Sequence, residues 1–353
     1  MNIINTDNVL ESSALLQLVC NTRQIDMSIS YIYNISNIKG DRYKNRSTST
    51  FTLEPKIECN KIQKFSLKKN TGSILGKIYL KITIDNDNKN EKDNENEKEI
   101  NVYDCIDEIE LKLDETILEK HTGELLYVLK QLNDTNEILH EDNNTYYIPL
   151  EFSMFKEIDL SVFFYNISIN IKFKNSNIKS CLLVDYIYLD SEESRNFKNQ
   201  LHKGIGIYID QYELEKEFEY KHTNEIKEDE EFITIDVPKV LCKELIWTVS
   251  NPNVIQHSSI CFNDKYYKTF QQSNFIYNKL LPKKWYNSSP SNGIFMYPFY
   301  TNEKKQGYIN LKSLNKACIK MKLKTTTESI KIKLYTRKYK VYTLINGTIS
   351  EMY

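Results

Sequence analysis

Residues able to do chemistry are few and widely spaced in this 353-residue chain. His121 and Glu124 stand three apart, a spacing that would put both on one face of a helix and offer two ligands to a metal. Five His in the whole chain supply no second pair, so a polar helix face is the expectation there. Asp85, Asp87 and Asn90 open like a calcium-binding loop. The pattern fails at Lys89 in the fifth position, at Asn90 in the sixth, where the turn needs Gly, and at Asn96 in the twelfth, where a bidentate Glu belongs. Glu192 and Glu193 fall at the start of a short predicted helix, where the dipole favours solvated negative charge without any catalytic role. Asn-x-Ser/Thr triplets at Asn34, Asn45, Asn133, Asn166, Asn287 and Asn346 are what so Asn-rich a sequence produces by chance. No GxSxG, P-loop or GxGxxG motif occurs, and nothing singles out two carboxylates as an acid and base pair. The expectation is no catalytic, cofactor-binding or metal-binding residue, and no enzyme.

Seven Cys (Cys20, Cys59, Cys105, Cys181, Cys242, Cys261 and Cys318) are odd in number, stand singly and form no CxxC pair, the usage of a reducing compartment. None has a nearby His at a spacing that would make it a nucleophile. Lys+Arg 47 against Asp+Glu 48 gives a formal charge of −1, so no broad positive field is present for nucleic acid or an anionic membrane. The N-terminal stretch lacks the basic region of a secretion signal, and no run approaches the roughly 18 apolar residues of a membrane span. Folding in a cytosol is the expectation.

Positioning falls to strands. A hydrophobic content of 40% is ample for packed cores, 25 Tyr with many Ile favours strands over helices, and nine Gly argues against a glycine-rich nucleotide site. A chain of this length exceeds the roughly 250–300 residues one core organises, which predicts two domains. Alternation marks strands at Ser49–Leu53, Ile62–Leu67, Ile74–Ile84, Ile109–Leu113, Tyr146–Phe152, Leu160–Phe164, Ile167–Phe173 and Leu182–Leu189. Leu125, Leu126, Leu129 and Leu132 then change to helical spacing. Asp85–Glu99 has no apolar residue and reads as a solvated loop. In the second half, strands are predicted at Phe232–Val237, Lys243–Val249, Ser259–Phe262, Gly293–Tyr300, Ile319–Leu323, Ile330–Leu334 and Tyr339–Leu344. Between the halves, Val184–Tyr212 reads strand, short helix, strand, without the Gly/Ser/Pro tract of a loose linker. One echo links the halves. Ile148–Phe152 is followed by Ile169–Phe173 at nearly the distance that separates Tyr297–Tyr300 from Ile319–Leu323.

The order of these segments resembles that of a known family. Leu15–Val19 with Gln24-Ile25-Asp26, Ser49-Thr50-Phe51 with Glu54, and Ile109-Glu110-Leu111 through Gly123-Glu124 are similar, in sequence order, to motifs of the double jelly-roll major capsid proteins of nucleocytoplasmic large DNA viruses. So are Ile148–Phe152, Val184–Gln211, Glu244–Trp247 with Asn263, Gly293–Phe299, and Arg337-Lys338-Tyr339 with Asn346-Gly347. The resemblance implies an all-β chain of two tandem eight-stranded jelly-roll β-sandwiches, with short helices in the connections. Its domains would be an N-terminal arm (1–30), a first jelly roll (31–190), a hinge helix (191–204) and a second jelly roll (205–353). It further implies a viral structural protein: a homotrimeric pseudo-hexagonal capsomer tiling an icosahedral shell in the virion, assembled in host cytoplasm. The N-terminal arm would meet minor capsid proteins or an internal membrane face, with no direct contact to nucleic acid. The alternatives are a scaffold or minor capsid paralogue, a lectin-like sandwich that stacks sugars on exposed Tyr, and, least, a jelly-roll carbohydrate hydrolase.

Overall fold

The computed structural model describes residues 47–59, 61–69, 74–84, 101–133, 139–142, 144–153, 160, 163, 165–175, 178–192, 194–195, 199, 205–220, 232–263, 265–266, 273–300, 307–324, 329–345 and 347–351. The expected N-terminal arm and the Asp85–Glu99 run lie outside these residues. In the first half the strands are β1 (Ser47–Leu53), β2 (Ile57–Cys59), β3 (Ile62–Leu67), β4 (Ile74–Ile84), β5 (Ile106–Leu113) and β6 (Thr116–Thr122). Helix α1 (Gly123–Leu132) follows, then β7 (Leu139–Asp142), β8 (Thr145–Pro149), β9 (Ile167–Phe173) and β10 (Ile178–Tyr188). They form two five-stranded sheets, ordered β1-β10-β4-β8-β7 and β2-β3-β9-β5-β6.

Alternation decides which face each strand buries. In β3, Gln63, Phe65 and Leu67 turn inward while Lys64 and Ser66 turn outward. In β5, a bulge between Ile106 and Glu108 in the pairing with β9 lets Ile106 and Ile109, three apart, both face in. Leu80, Ile82, Leu182 and Val184 of one sheet and Phe65, Ile109, Ile169 and Ile171 of the other enter a single buried cluster, so the two sheets form a sandwich. Helix α1 is capped by Thr122, whose hydroxyl accepts from the Leu125 amide at 3.2 Å. It buries Leu125, Leu126, Val128, Leu129 and Leu132, the spacing of an amphipathic helix.

The second half repeats this plan. Its strands are β11 (Ile205–Tyr220), β12 (Phe232–Asp236), β13 (Leu241–Val249), β14 (Ile255–Phe262), β15 (Lys265–Tyr266), β16 (Ile294–Pro298), β17 (Ile309–Asn310), β18 (Ala317–Leu323), β19 (Ile330–Ile345) and β20 (Thr348–Glu351). A helical segment precedes β16: a π-turn at Ile276–Leu280 runs into α2 (Leu281–Tyr286). The sheets are β11-β19-β13-β16, with β17 on β13 and β20 on β19, and β12-β18-β14-β15. Trp247, Phe295 and Leu334 from one sheet and Ile260, Ile319 and Met321 from the other share one core.

When the short β2, β7, β17 and β20 are set aside, the strands of each half can be numbered one to eight. One sheet then reads first, eighth, third, sixth and the other second, seventh, fourth, fifth, in both halves. In both, a helix separates the fifth strand from the sixth. This interleaving is the jelly roll, and the chain carries it twice.

By contacts the described residues divide into two compact units, those up to Ile209 together with those from Val341 onward, and those of Asp210–Lys340. Ile207 and Ile209 of β11 and Tyr342 and Leu344 of β19 belong to the core of the former.

Three local expectations are corrected. His121 is not on a helix: it is the next-to-last residue of strand β6, immediately before Thr122, which caps α1. Ile330–Leu334 and Tyr339–Leu344 are one strand, because the polar residues between them are matched across the sheet by β11. Leu160 and Phe163 are buried core residues outside any strand.

Candidate functional site

In the second unit, Glu244 gathers three tyrosine hydroxyls on one carboxylate. The pairing of β13 with β19 carries a bulge between Cys242 and Glu244. Cys242, and beyond the bulge Leu245, Trp247 and Val249, face the core, which leaves Glu244 on the opposite side of the sheet. It is nevertheless fully buried, at 0% exposure. Three phenols meet its carboxylate. Tyr212 from β11 donates to Oε1 at 2.9 Å, Tyr300 donates to Oε2 at 2.9 Å, and the Tyr286 hydroxyl from α2 lies 2.7 and 2.8 Å from the two oxygens.

Arg337 of β19 stands directly across from Glu244 in the ladder, with its guanidinium 5.3 Å from the Tyr212 ring centroid. Asp210 accepts from Lys243 at 2.7 Å and from Arg337 at 3.4 Å. Two carboxylates and two cations therefore close a charge-balanced cluster. Burial raises the pKa of Tyr212, Tyr286 and Tyr300, and the Glu244 charge raises each further. Burial pulls Arg337 down, but the negative charges around it, Glu244 and Asp210 among them, hold it above its ordinary value. These phenols stay protonated and act as donors to a fixed anion. The arrangement ties β11, β13, β19 and α2 together, and it offers no base beside an open space where a substrate would sit.

The first unit holds a smaller buried pair. His121 Nε2 lies 3.2 Å from Glu119 Oε1, both residues are 1% exposed, and the imidazole stacks on Phe152 at 5.2 Å. Glu119 Oε2 accepts from the Ser153 amide at 2.8 Å. His121 is thus engaged with Glu119, and the pairing with Glu124 weighed from sequence does not describe its surroundings.

The other sequence candidates do not converge. Asp85, Asp87 and Asn90 lie outside the described residues, as do Glu193, Cys20, Asn34, Asn45 and Asn346. Glu192 is exposed on a helical turn. Cys105, Cys242, Cys261 and Cys318 are buried thiols, and burial raises the pKa of Cys105, Cys242 and Cys318 away from the thiolate. Among the described residues, no group of three or more His, Cys, Asp or Glu is placed to hold a metal ion. Asn133 caps α1, Asn166 lies exposed against Asp114, and Asn287 is exposed in a left-handed conformation at φ 56°.

Sequence reading missed Glu244 and its phenols. The one signal available was a charged residue abutting the apolar run Leu245-Ile246-Trp247 in a Tyr-rich chain.

No protein-family model matches the sequence. No curated protein matches it. Solved structures do. The chain superposes on the capsid of the virus PBCV-1 with a TM-score of 0.71 at 14% identity, over 89% of this chain and 98% of that one. The Faustovirus major capsid protein matches at 0.60 and 8% identity, over 97% and 98% of the two chains. The major capsid protein P2 of bacteriophage PM2 matches at 0.51 and 10%, over 83% and 98%. The chain has the double jelly-roll fold of viral major capsid proteins. The expected fold class is therefore met, and those capsid chains are spanned almost end to end.

Proposed function

We propose that this protein is a structural component of a viral capsid: a non-enzymatic building block that assembles into a homotrimeric, pseudo-hexagonal tile of an icosahedral shell. The observation that carries this reading is the jelly-roll strand order repeated in both halves of a chain that covers 98% of the PBCV-1 and Faustovirus capsid chains. Two sandwiches per chain and three chains per tile give six, the number a hexagonal plate needs. In this reading 31–190 and 205–353 are the two jelly rolls, 191–204 couples them, and 1–30 is the arm that meets minor capsid proteins or an internal membrane face. No catalytic, cofactor or metal residue is assigned.

The tyrosines support a structural role over a sugar-stacking one. Tyr103, Tyr186, Tyr212, Tyr277, Tyr300, Tyr335 and Tyr342 are buried, and Tyr165 is the one Tyr among the strongly exposed apolar side chains described. The test is the protein composition of purified mature particles of the virus that encodes this chain. A shell component is retained there in high copy number, whereas a scaffold is lost on maturation, and its absence would overturn the shell reading.

A further inference from the structure

We propose that a lysine-walled cleft at one end of the first sandwich is a binding site for an oligophosphate-class polyanion, held by Lys56, Lys64 and Lys68. The cleft encloses about 820 Å³, within the range of ligand-binding clefts. It lies where β3 ends, where β9 begins and where the β5–β6 turn closes.

Strand alternation builds its basic wall. Lys64 and Ser66 follow the exposed Ile62 on the outward-facing row of β3, and Lys68 continues that row one step past the strand. Lys56 is held alongside, its amide donating to the Lys64 carbonyl at 2.8 Å. Ser66 faces Ser168 across the β3–β9 ladder, and both lie in the cleft lining, so two hydroxyl residues stand between the ammonium groups.

The charges on this sheet are unevenly matched. Towards β5 and β6 each lysine has a carboxylate: Lys112 with Glu110 at 2.9 Å, Lys172 with Asp107 at 2.8 Å, and Lys120 with Glu108. At the β3 end, among the described residues, Lys56, Lys64 and Lys68 form no ion pair, and Lys69 is committed to the Phe163 carbonyl at 2.9 Å. Three ammonium groups without an ion-pair partner among the described residues, set around one concavity, raise the local concentration of anions.

The spacing selects the class. The backbone positions of Lys64 and Lys68 are roughly 13 Å apart at about 3.3 Å per residue, a separation that long lysine side chains and a run of linked phosphates bridge together more readily than a single carboxylate does. Lysine binds phosphate as a point charge and needs no fixed fork. Asp114 and Glu115 form the other wall. Asp114 is held by the Asn166 amide at 3.2 Å, and the two carboxylates confine an anion to the lysine side.

The experiment is calorimetric titration of the full chain with tripolyphosphate at low ionic strength, with sodium chloride matched for ionic strength as the control. Saturable binding at one site per chain is expected. It should weaken roughly tenfold or more in Lys64→Ala/Lys68→Ala and stay unchanged in Lys172→Ala. On the unaltered chain, acetylation footprinting should show Lys56, Lys64 and Lys68 protected by tripolyphosphate, with Lys172 unprotected. Absence of saturable binding, equal affinity in the double variant, or protection elsewhere would overturn the assignment. So would a peptide of residues 85–99 occupying the cleft where tripolyphosphate cannot, since the site would then belong to a polypeptide.

Discussion

Glu244 shows how a charged side chain can be buried at full coordination. Its carboxylate has acceptor sites for about four hydrogen bonds, and three phenols meet it, Tyr286 sharing its one proton between the two oxygens, while Arg337 stands opposite with the opposing charge. Removing the anion leaves three buried phenols without their acceptor and Arg337 with only Asp210, at 3.4 Å, as a counter-charge, so Glu244→Ala is expected to destabilise the second unit by about 3–5 kcal/mol in urea unfolding. Tyr286→Phe deletes one donor to the carboxylate and keeps the ring, and it should cost about 1.5–3 kcal/mol. A cost for Glu244→Ala no larger than that of the Phe variant would show the cluster to be peripheral. The phenols also fix an alkaline limit. Folded Tyr212, Tyr286 and Tyr300 hold their protons above the ordinary value of 10.0, so the folded state binds more protons than the unfolded one in that range. Their contribution is therefore complete below pH 10 and lost as pH rises beyond it. Absorbance titration should show these phenols ionising together with unfolding, and ionisation of all tyrosines near pH 10 in a chain that remains folded would contradict this.

At the level of elements, the strands with strict alternation were legible. Ile62–Leu67, Ile74–Ile84 and Ile167–Phe173 were read from period-2 spacing and are β3, β4 and β9 to the residue. Elements whose outer face is satisfied by other parts of the chain were not. The β19 strand reads as two pieces because Thr336, Arg337 and Lys338 break the apolar pattern. Their partners Glu215, Asp210 and Glu213 sit on β11, more than a hundred residues away. The β6 strand was hidden for the same kind of reason. Glu119 and His121 carry polar chemistry onto the buried face and remove the alternation that would have marked it. Gly123 was noticed only as a change of period, but packing defines its role. A Cβ there would stand 2.1 Å from the Tyr103 carbonyl and 2.7 Å from that of Ile106, so the start of α1 can close on the turn before β5 only with Gly. Gly123→Ala should therefore destabilise the first unit by about 1–3 kcal/mol despite the higher helix propensity of Ala. A neutral or stabilising effect in thermal unfolding would show that α1 does not approach so closely.

For the whole molecule, the weak echo between Ile148–Phe152/Ile169–Phe173 and Tyr297–Tyr300/Ile319–Leu323 proves topological. The first member of each pair ends the sixth strand of its half, β8 or β16, with a Pro as the last strand residue. The second member lies in the seventh strand, β9 or β18. Two sandwiches of one plan in one chain halve the number of polypeptides a hexagonal plate requires, and that is the physical content of the capsid proposal. Obligate contacts between such subunits bury upwards of about 2,000 Å². A formal charge of −1 per chain lets identical copies meet without strong net repulsion. The most direct test is light scattering coupled to size-exclusion chromatography on the purified full-length chain at micromolar concentration. A particle of three times the chain mass, persisting on dilution, is the predicted result, and a stable monomer across the same range would contradict it.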